Sequence, residues 1–130
     1  MSFQSLVLPE ALLKALDHAG YTHPTPVQEQ AIPGVLAGKD LWVQSHTGTG
    51  KTAAFALPLL AQMEDRPRRS HAHTLVLTPT RELALQVGAA FKKYGHFMRH
   101  RPKVHTLIGG EDRDLQQEAL GWGADVLVAT

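Results

Sequence analysis

The stretch Ser45-His46-Thr47-Gly48-Thr49-Gly50-Lys51-Thr52 constrains this chain more than any other. It follows a short apolar run, Leu41-Trp42-Val43, and leads into the Ala-rich segment Ala53 to Ala61. Strand, glycine-rich turn, helix is the context a phosphate-binding loop requires. Glycines let the backbone curl until several N–H groups face one anion, and the helix N-terminus adds partial positive charge. Lys51 can reach the outer phosphates as a point charge, and the Thr52 hydroxyl can ligate Mg²⁺. Ser45 stands where the G-x-x-x-x-G-K-[ST] pattern has its first glycine, a small-for-small exchange that still permits the turn to close. The bland alternative is a Gly/Thr-rich turn with an incidental Gly-Lys-Thr.

A chain of 130 residues suffices for one domain with a real core. With 43% hydrophobic and 19% charged residues it has the composition of a soluble globular protein, and no apolar run approaches the roughly 20 residues of a membrane span. No cysteine is present, so disulfide frameworks and thiolate metal sites are excluded. Met1 to Ser5 lacks a basic-then-apolar leader, and a cytoplasmic location is expected. The net charge of +1 means that any nucleic-acid contact must come from local groups. His71-x-His73 and His96-x-x-x-His100 lack a third ligand in register and read as surface or loop histidines.

Helix signals come first along the chain. After an extended lead-in at Phe3, Pro9 suits a first helical position, Leu12, Leu13 and Leu16 share a face, and Gly20 sits where the helix should stop. A second helix is predicted with Thr25 as N-cap, Pro26 at its first position and Gln28 three residues after the cap, ending near Gly38, with Pro33 kinking or shortening it. A third runs from Lys51 to Met63 with Pro58 in its later half. Glu64 to His73, with Arg66, Arg68 and Arg69, reads as an exposed loop. Thr74–Leu77 is a strand apolar enough for a sheet covered on both faces. A helix from Arg81 to about Tyr94, a strand Lys103–Ile108, a helix Asp112–Leu120 and a strand Asp125–Ala129 complete the alternation.

Strands alternating with helices predict an α/β fold with a parallel sheet, and ligands at the C-terminal ends of its strands. The loops Ser45–Thr49, Thr78–Thr80, Gly109–Gly110 and Thr130 should then share one edge.

Taken together these loops resemble the front half of a DEAD-box ATP-dependent RNA helicase. Phe3, Gly20-Tyr21 and Pro24-Thr25-Pro26-Val27-Gln28 resemble the Q motif. Ser45 to Thr52 resembles the family's phosphate loop, Pro79-Thr80-Arg81-Glu82-Leu83-Ala84 its motif Ia, and Gly109-Gly110 its paired glycines. Ala129-Thr130 looks like the start of motif Ib. The resemblance implies a RecA-like P-loop domain, with residues 1–38 as the Q-motif region for adenine recognition and 39–130 as a partial ATP-binding domain ending before the Asp-Glu-Ala-Asp motif.

It further implies that Gln28 reads the adenine edge, and a carboxamide's paired donor and acceptor match that edge. Gln28 could equally be only the capping partner of Thr25. Tyr21 would pack against the base, Thr25 would fix the loop, and Phe3 would serve packing. Ser45, His46, Thr47, Gly48, Thr49 and Gly50 would cradle phosphates, with Lys51 and Thr52 as the candidate catalytic residues and Thr52 on the metal. Pro79, Thr80, Arg81, Gly109, Gly110 and Thr130 would hold the RNA backbone, giving binding that ignores base sequence and responds to salt. Lys92, Lys93, Arg99, Arg101 and Lys103 could extend that track, although Lys92 and Lys93 also suit a helix C-terminus.

ATP and Mg²⁺ are the cofactors implied, and RNA and a second helicase domain the partners. The family's hydrolytic carboxylates lie in the Asp-Glu-Ala-Asp stretch, which is not found in this sequence. The expectation is therefore a truncated domain that binds ATP without cleaving it, and whose exposed strand edges favour self-association. Competing readings are another P-loop enzyme, such as a small kinase or GTPase, and a stand-alone nucleotide- or RNA-binding module. Gln28 and the lack of Asn-Lys-x-Asp oppose the GTPase.

Overall fold

The computed structural model describes residues 2–46, 48, 50–66, 71–109, 113–114, 116–117 and 123–130. Four helices and three strands occur among them: α1 (Glu10–His18), α2 (Pro26–Leu36), α3 (Lys51–Glu64), β1 (Thr74–Leu77), α4 (Arg81–Tyr94), β2 (Val104–Leu107) and β3 (Val126–Ala129). The predicted Asp112–Leu120 helix lies mostly outside the described residues, of which 113–114 and 116–117 are helical. Arg68 and Arg69 of the predicted loop lie outside them too.

Local chemistry sets the helix ends. Thr25 and Gln28 form a complete capping box at α2: the Gln28 backbone N–H donates to the Thr25 hydroxyl at 3.4 Å, and the Thr25 N–H donates to Gln28 Oε1 at 3.0 Å. Thr80 caps α4, accepting from the Leu83 N–H at 3.2 Å. Both α1 and α2 run into a glycine at positive φ, Gly20 and Gly38, with the backbone bonds of a Schellman end. Pro9 is the residue before α1 rather than its first residue. Phe3–Leu6 forms a short 3₁₀ turn, not an extended lead-in, because burying both Phe3 and Leu6 on the core requires a tight turn.

Pro33 and Pro58 do not shorten their helices. Each removes one N–H, and packing outweighs that loss. Pro58 is wholly buried, and α2 is tied to α3 by Gln62 Nε2 donating to the Val35 carbonyl at 3.2 Å.

The sheet is parallel, in the order β1-β3-β2. Leu77, Ala129 and Leu107 are in register, so the three strands end at one edge. Leu57 and Leu60 of α3, Phe91 of α4, and Val126 and Val128 of β3 are buried together in the core, with Leu12 and Leu16 of α1 closing it.

Two expectations fail here. Leu41-Trp42-Val43 pairs with no strand among the described residues, and Trp42 is 91% exposed. An isolated extended segment has no ladder to join, and the sheet among the described residues holds only β1, β3 and β2. Nor is β1 covered on both faces, since Leu75 and Leu77 are 62% and 72% exposed while Thr74 is buried.

Candidate functional site

An open cleft of about 840 Å³ lies between the phosphate loop and the C-terminal end of β1. Tyr21, Thr25 and Gln28, Gly48, Gly50, Lys51 and Thr52, and Val76, Leu77 and Thr78 all line it. Phe3 is buried yet also lines the cleft, in keeping with a packing role. Thr47 and Thr49 lie outside the described residues.

Gln28 is the hub of the closed end. It is 6% exposed, and its amide is used from both sides. Oε1 accepts from the Thr25 N–H, and Nε2 donates to the Gly50 carbonyl at 3.2 Å. The partners dictate the orientation, because an N–H must face the oxygen and a carbonyl the nitrogen. The capping function is thus present. One hydrogen on Nε2 and one lone pair on Oε1 are not used by these two bonds, so an edge-on base is still within the amide's capacity.

The loop meets α3 through backbone geometry. Gly48 (φ +83°) and Gly50 (φ +86°) occupy the left-handed region that side chains disfavour. At Gly50 space is limiting as well: a Cβ there would collide with Gln28 Nε2. Two residues 22 positions apart therefore depend on each other's size. Lys51 is exposed and folds back, donating from Nζ to the Ser45 carbonyl at 2.7 Å. That bond leaves the ammonium near the loop it would serve. Thr52 sits half-buried at the head of α3.

The strand ends form the second part of the site. Thr78 and Thr130 follow β1 and β3 directly, and Gly109 follows β2 after Ile108, so three of the four predicted loops share the sheet edge. The phosphate loop joins them only across the cleft, because its leading segment is outside the sheet. Pro79, Thr80 and Arg81 are exposed at the start of α4, Gly109 and Thr130 are exposed beside them, and Gly110 lies outside the described residues. Thr78, not singled out from sequence, staples the edge: its hydroxyl lies 3.3 Å from the Ala129 carbonyl and 3.2 Å from that of Thr80, and its N–H donates to Ala129 at 2.8 Å. Its short spacing to Pro79 was the available signal, since a buried hydroxyl before a strand-breaking proline needs a partner.

The comparisons with known proteins agree with this geometry. The model of the DEAD/DEAH box helicase family matches residues 25–130. The chain belongs to that family. It is 47% identical to the ATP-dependent RNA helicase DeaD of Haemophilus influenzae, covering 100% of this chain and 21% of that protein. It is 43% identical to the DEAD-box ATP-dependent RNA helicase RhpA of Helicobacter pylori, over 99% of this chain and 25% of the relative. With the ATP-dependent rRNA helicase rrp3 of Aspergillus oryzae it shares 47% identity, over 99% and 26%. Among solved structures, a hypothetical ATP-dependent RNA helicase from Sulfolobus tokodaii superposes with a TM-score of 0.81 at 36% identity, covering 95% of this chain and 34% of that one. The chain thus spans about a quarter or less of these curated relatives and has the RecA-like parallel sheet of the family.

Among the described residues no group of three or more His, Asp or Glu is placed to hold a metal, and no helix is long and apolar enough to cross a membrane. Among the described residues, the lining of the cleft contains no carboxylate. One buried group beside it is displaced in acidity: Tyr94 is pushed up to about 12, chiefly by burial and further by the neighbouring Tyr21 hydroxyl.

Proposed function

We propose that this chain is the nucleotide-binding part of an ATP-dependent RNA helicase. The observation that carries the reading is the convergence of Gln28, Tyr21, Lys51 and Thr52 on one cleft. Gln28 reads the adenine edge with the amide valences its cap leaves over, and Tyr21 packs against the base. The loop from Ser45 to Gly50, His46, Thr47 and Thr49 included, cradles the phosphates. Lys51 exchanges the Ser45 carbonyl for a phosphate oxygen, a stronger, charge-assisted partner.

Mg²⁺ fits the residues present in a restricted sense. It is held mainly by phosphate oxygens and water with few protein ligands, and Thr52 supplies one hydroxyl. When bound, the ion neutralises charge on the phosphates. The described cleft offers no carboxylate to orient an attacking water, so the 130 residues bind ATP and turn it over negligibly.

RNA runs along the strand edge, on Pro79, Thr80, Arg81, Gly109, Gly110 and Thr130, through its sugar-phosphate backbone. Thr80 caps α4 there, so the helix N-terminus favours a phosphate. In the whole protein a second helicase domain closes on both ligands. In isolation the unpaired outer edge of β1, with Leu75 and Leu77 beside it, favours self-association. A concentration-independent monomer in light scattering overturns that last point.

The deciding experiment titrates ATP, GTP and single-stranded RNA into the chain. ATP is expected to bind tighter than GTP. Gln28→Ala should remove most of that preference, and Lys51→Ala should weaken both nucleotides at least about tenfold while sparing RNA. GTP binding as tight as ATP, unaffected by Gln28→Ala, overturns the adenine assignment.

A further inference from the structure

Tyr21 is the least supported member of the cleft. Its backbone is well held: the Gly20 N–H donates to Asp17 at 3.0 Å and the Tyr21 N–H to Leu16 at 2.9 Å, closing the end of α1. Its ring, 46% exposed, stands on a loop, where a side chain is free to change rotamer. A ring that stacks on a base must be held in one orientation beforehand, or binding bears the cost of ordering it.

The last turn of α4 supplies that hold from 72 residues away in sequence. Lys93 Nζ lies 5.0 Å from the centroid of the Tyr21 ring and 5.5 Å from that of Tyr94. Tyr94 lines the same cleft as Tyr21, and the neighbouring Tyr21 hydroxyl adds to the burial that raises the Tyr94 pKa. Tyr94 is itself buried, so it is a fixed anchor, and the exposed Lys93 has its ammonium near both rings. The ammonium orients the Tyr21 ring through its π-system, with the buried Tyr94 ring as a fixed neighbour. An ammonium over a ring also draws electron density, which suits stacking against an electron-rich purine.

We propose that Lys93 is a positioning residue for nucleotide binding, holding the Tyr21 ring in the orientation that receives the base. The helix-end reading of Lys93 stays true alongside this, since an ammonium at the C-terminus of α4 also meets the last carbonyls. The proposal rests on the adenine assignment above, and it adds a residue that touches no nucleotide.

The test uses the full 130-residue chain, with Mg·ADP and inorganic pyrophosphate as separate titrants in calorimetry. Lys93→Met keeps the length of the side chain and removes its charge. It is expected to weaken ADP about two- to fivefold, the range of an exposed cation–π contact. Pyrophosphate, which engages the loop alone, should bind unchanged, and Lys93→Arg should restore ADP affinity.

Equal losses for ADP and pyrophosphate would mean a charge or stability effect and overturn the proposal. Undiminished ADP binding in Lys93→Met, with Gln28→Ala still weakening it, overturns the proposal and leaves the adenine assignment standing. Undiminished binding in Gln28→Ala as well overturns both. A thermal midpoint that falls for Lys93→Met with ADP affinity intact assigns the contact to folding alone, which also overturns it.

Discussion

The two ends of the phosphate loop are held in opposite ways. At its far end Gly50 is pinned to Gln28, and α3 continues at once into a buried core through Ala53, Ala56 and Leu57. At its near end Leu41, Trp42 and Val43 are as apolar as any core segment and yet exposed, joined to no strand among the described residues. Leu41 rests against Gly34 of α2, its side chain 2.9 Å from where a Cβ would stand, while Trp42 points away. A helix satisfies its own backbone and needs one packed face. A strand needs a neighbour for every second amide, so apolar side chains alone do not seat it. The Gln28 end of the cleft is therefore organised by side-chain contacts within the chain, and the other side by β1 and α4, with Thr78 tied to β3.

That contrast can be broken by substitutions on the two sides. Phe91→Ala, which empties the centre of the packed side and removes the ring 6.2 Å from Phe55, should cost about 3–5 kcal/mol in denaturant unfolding. A loss under 1 kcal/mol would mean that the core is loosely packed. Gly50→Ala should come next, at about 1–3 kcal/mol, because it strains a left-handed residue and drives Gln28 off the Gly50 carbonyl. Nucleotide affinity should fall with it.

Thr25→Ala removes one half of the capping box and should destabilise by about 1 kcal/mol in thermal unfolding. It also bears on the site, since Gln28 then has one fewer partner holding it. Trp42→Ala should change stability by less than about 0.5 kcal/mol, because a side chain this exposed loses little contact. A large loss there would show that the near end is packed in solution, and would erase the contrast.

Most element positions were legible from residues three or four apart. Arg81–Tyr94 and Thr74–Leu77 fall where the pattern puts them, and the Thr25–Gln28 box and the glycine after α1 mark true helix ends. The Lys103–Ile108 and Asp125–Ala129 strands shorten to Val104–Leu107 and Val126–Ala129, since only paired residues count as strand. The glycine-rich loop before α3 was legible as a turn leading into a helix, because glycine spacing and a helix start are set locally. Gln28 was legible only as a choice between cap and base reader, and the structure shows the cap bonds made.

What the sequence determined by itself is thus the local grammar: where helices begin and end, where the chain can turn at glycine, and which residues can meet a phosphate. The tertiary structure decided the strand order β1-β3-β2, the staple from Thr78 to Ala129, the exposure of Trp42, and the meeting of Lys93 with Tyr21. The reason is distance along the chain. A cap closes within one turn of helix and its partners are neighbours in any fold, whereas a pairing 51 residues apart forms only when the whole core selects which segments meet.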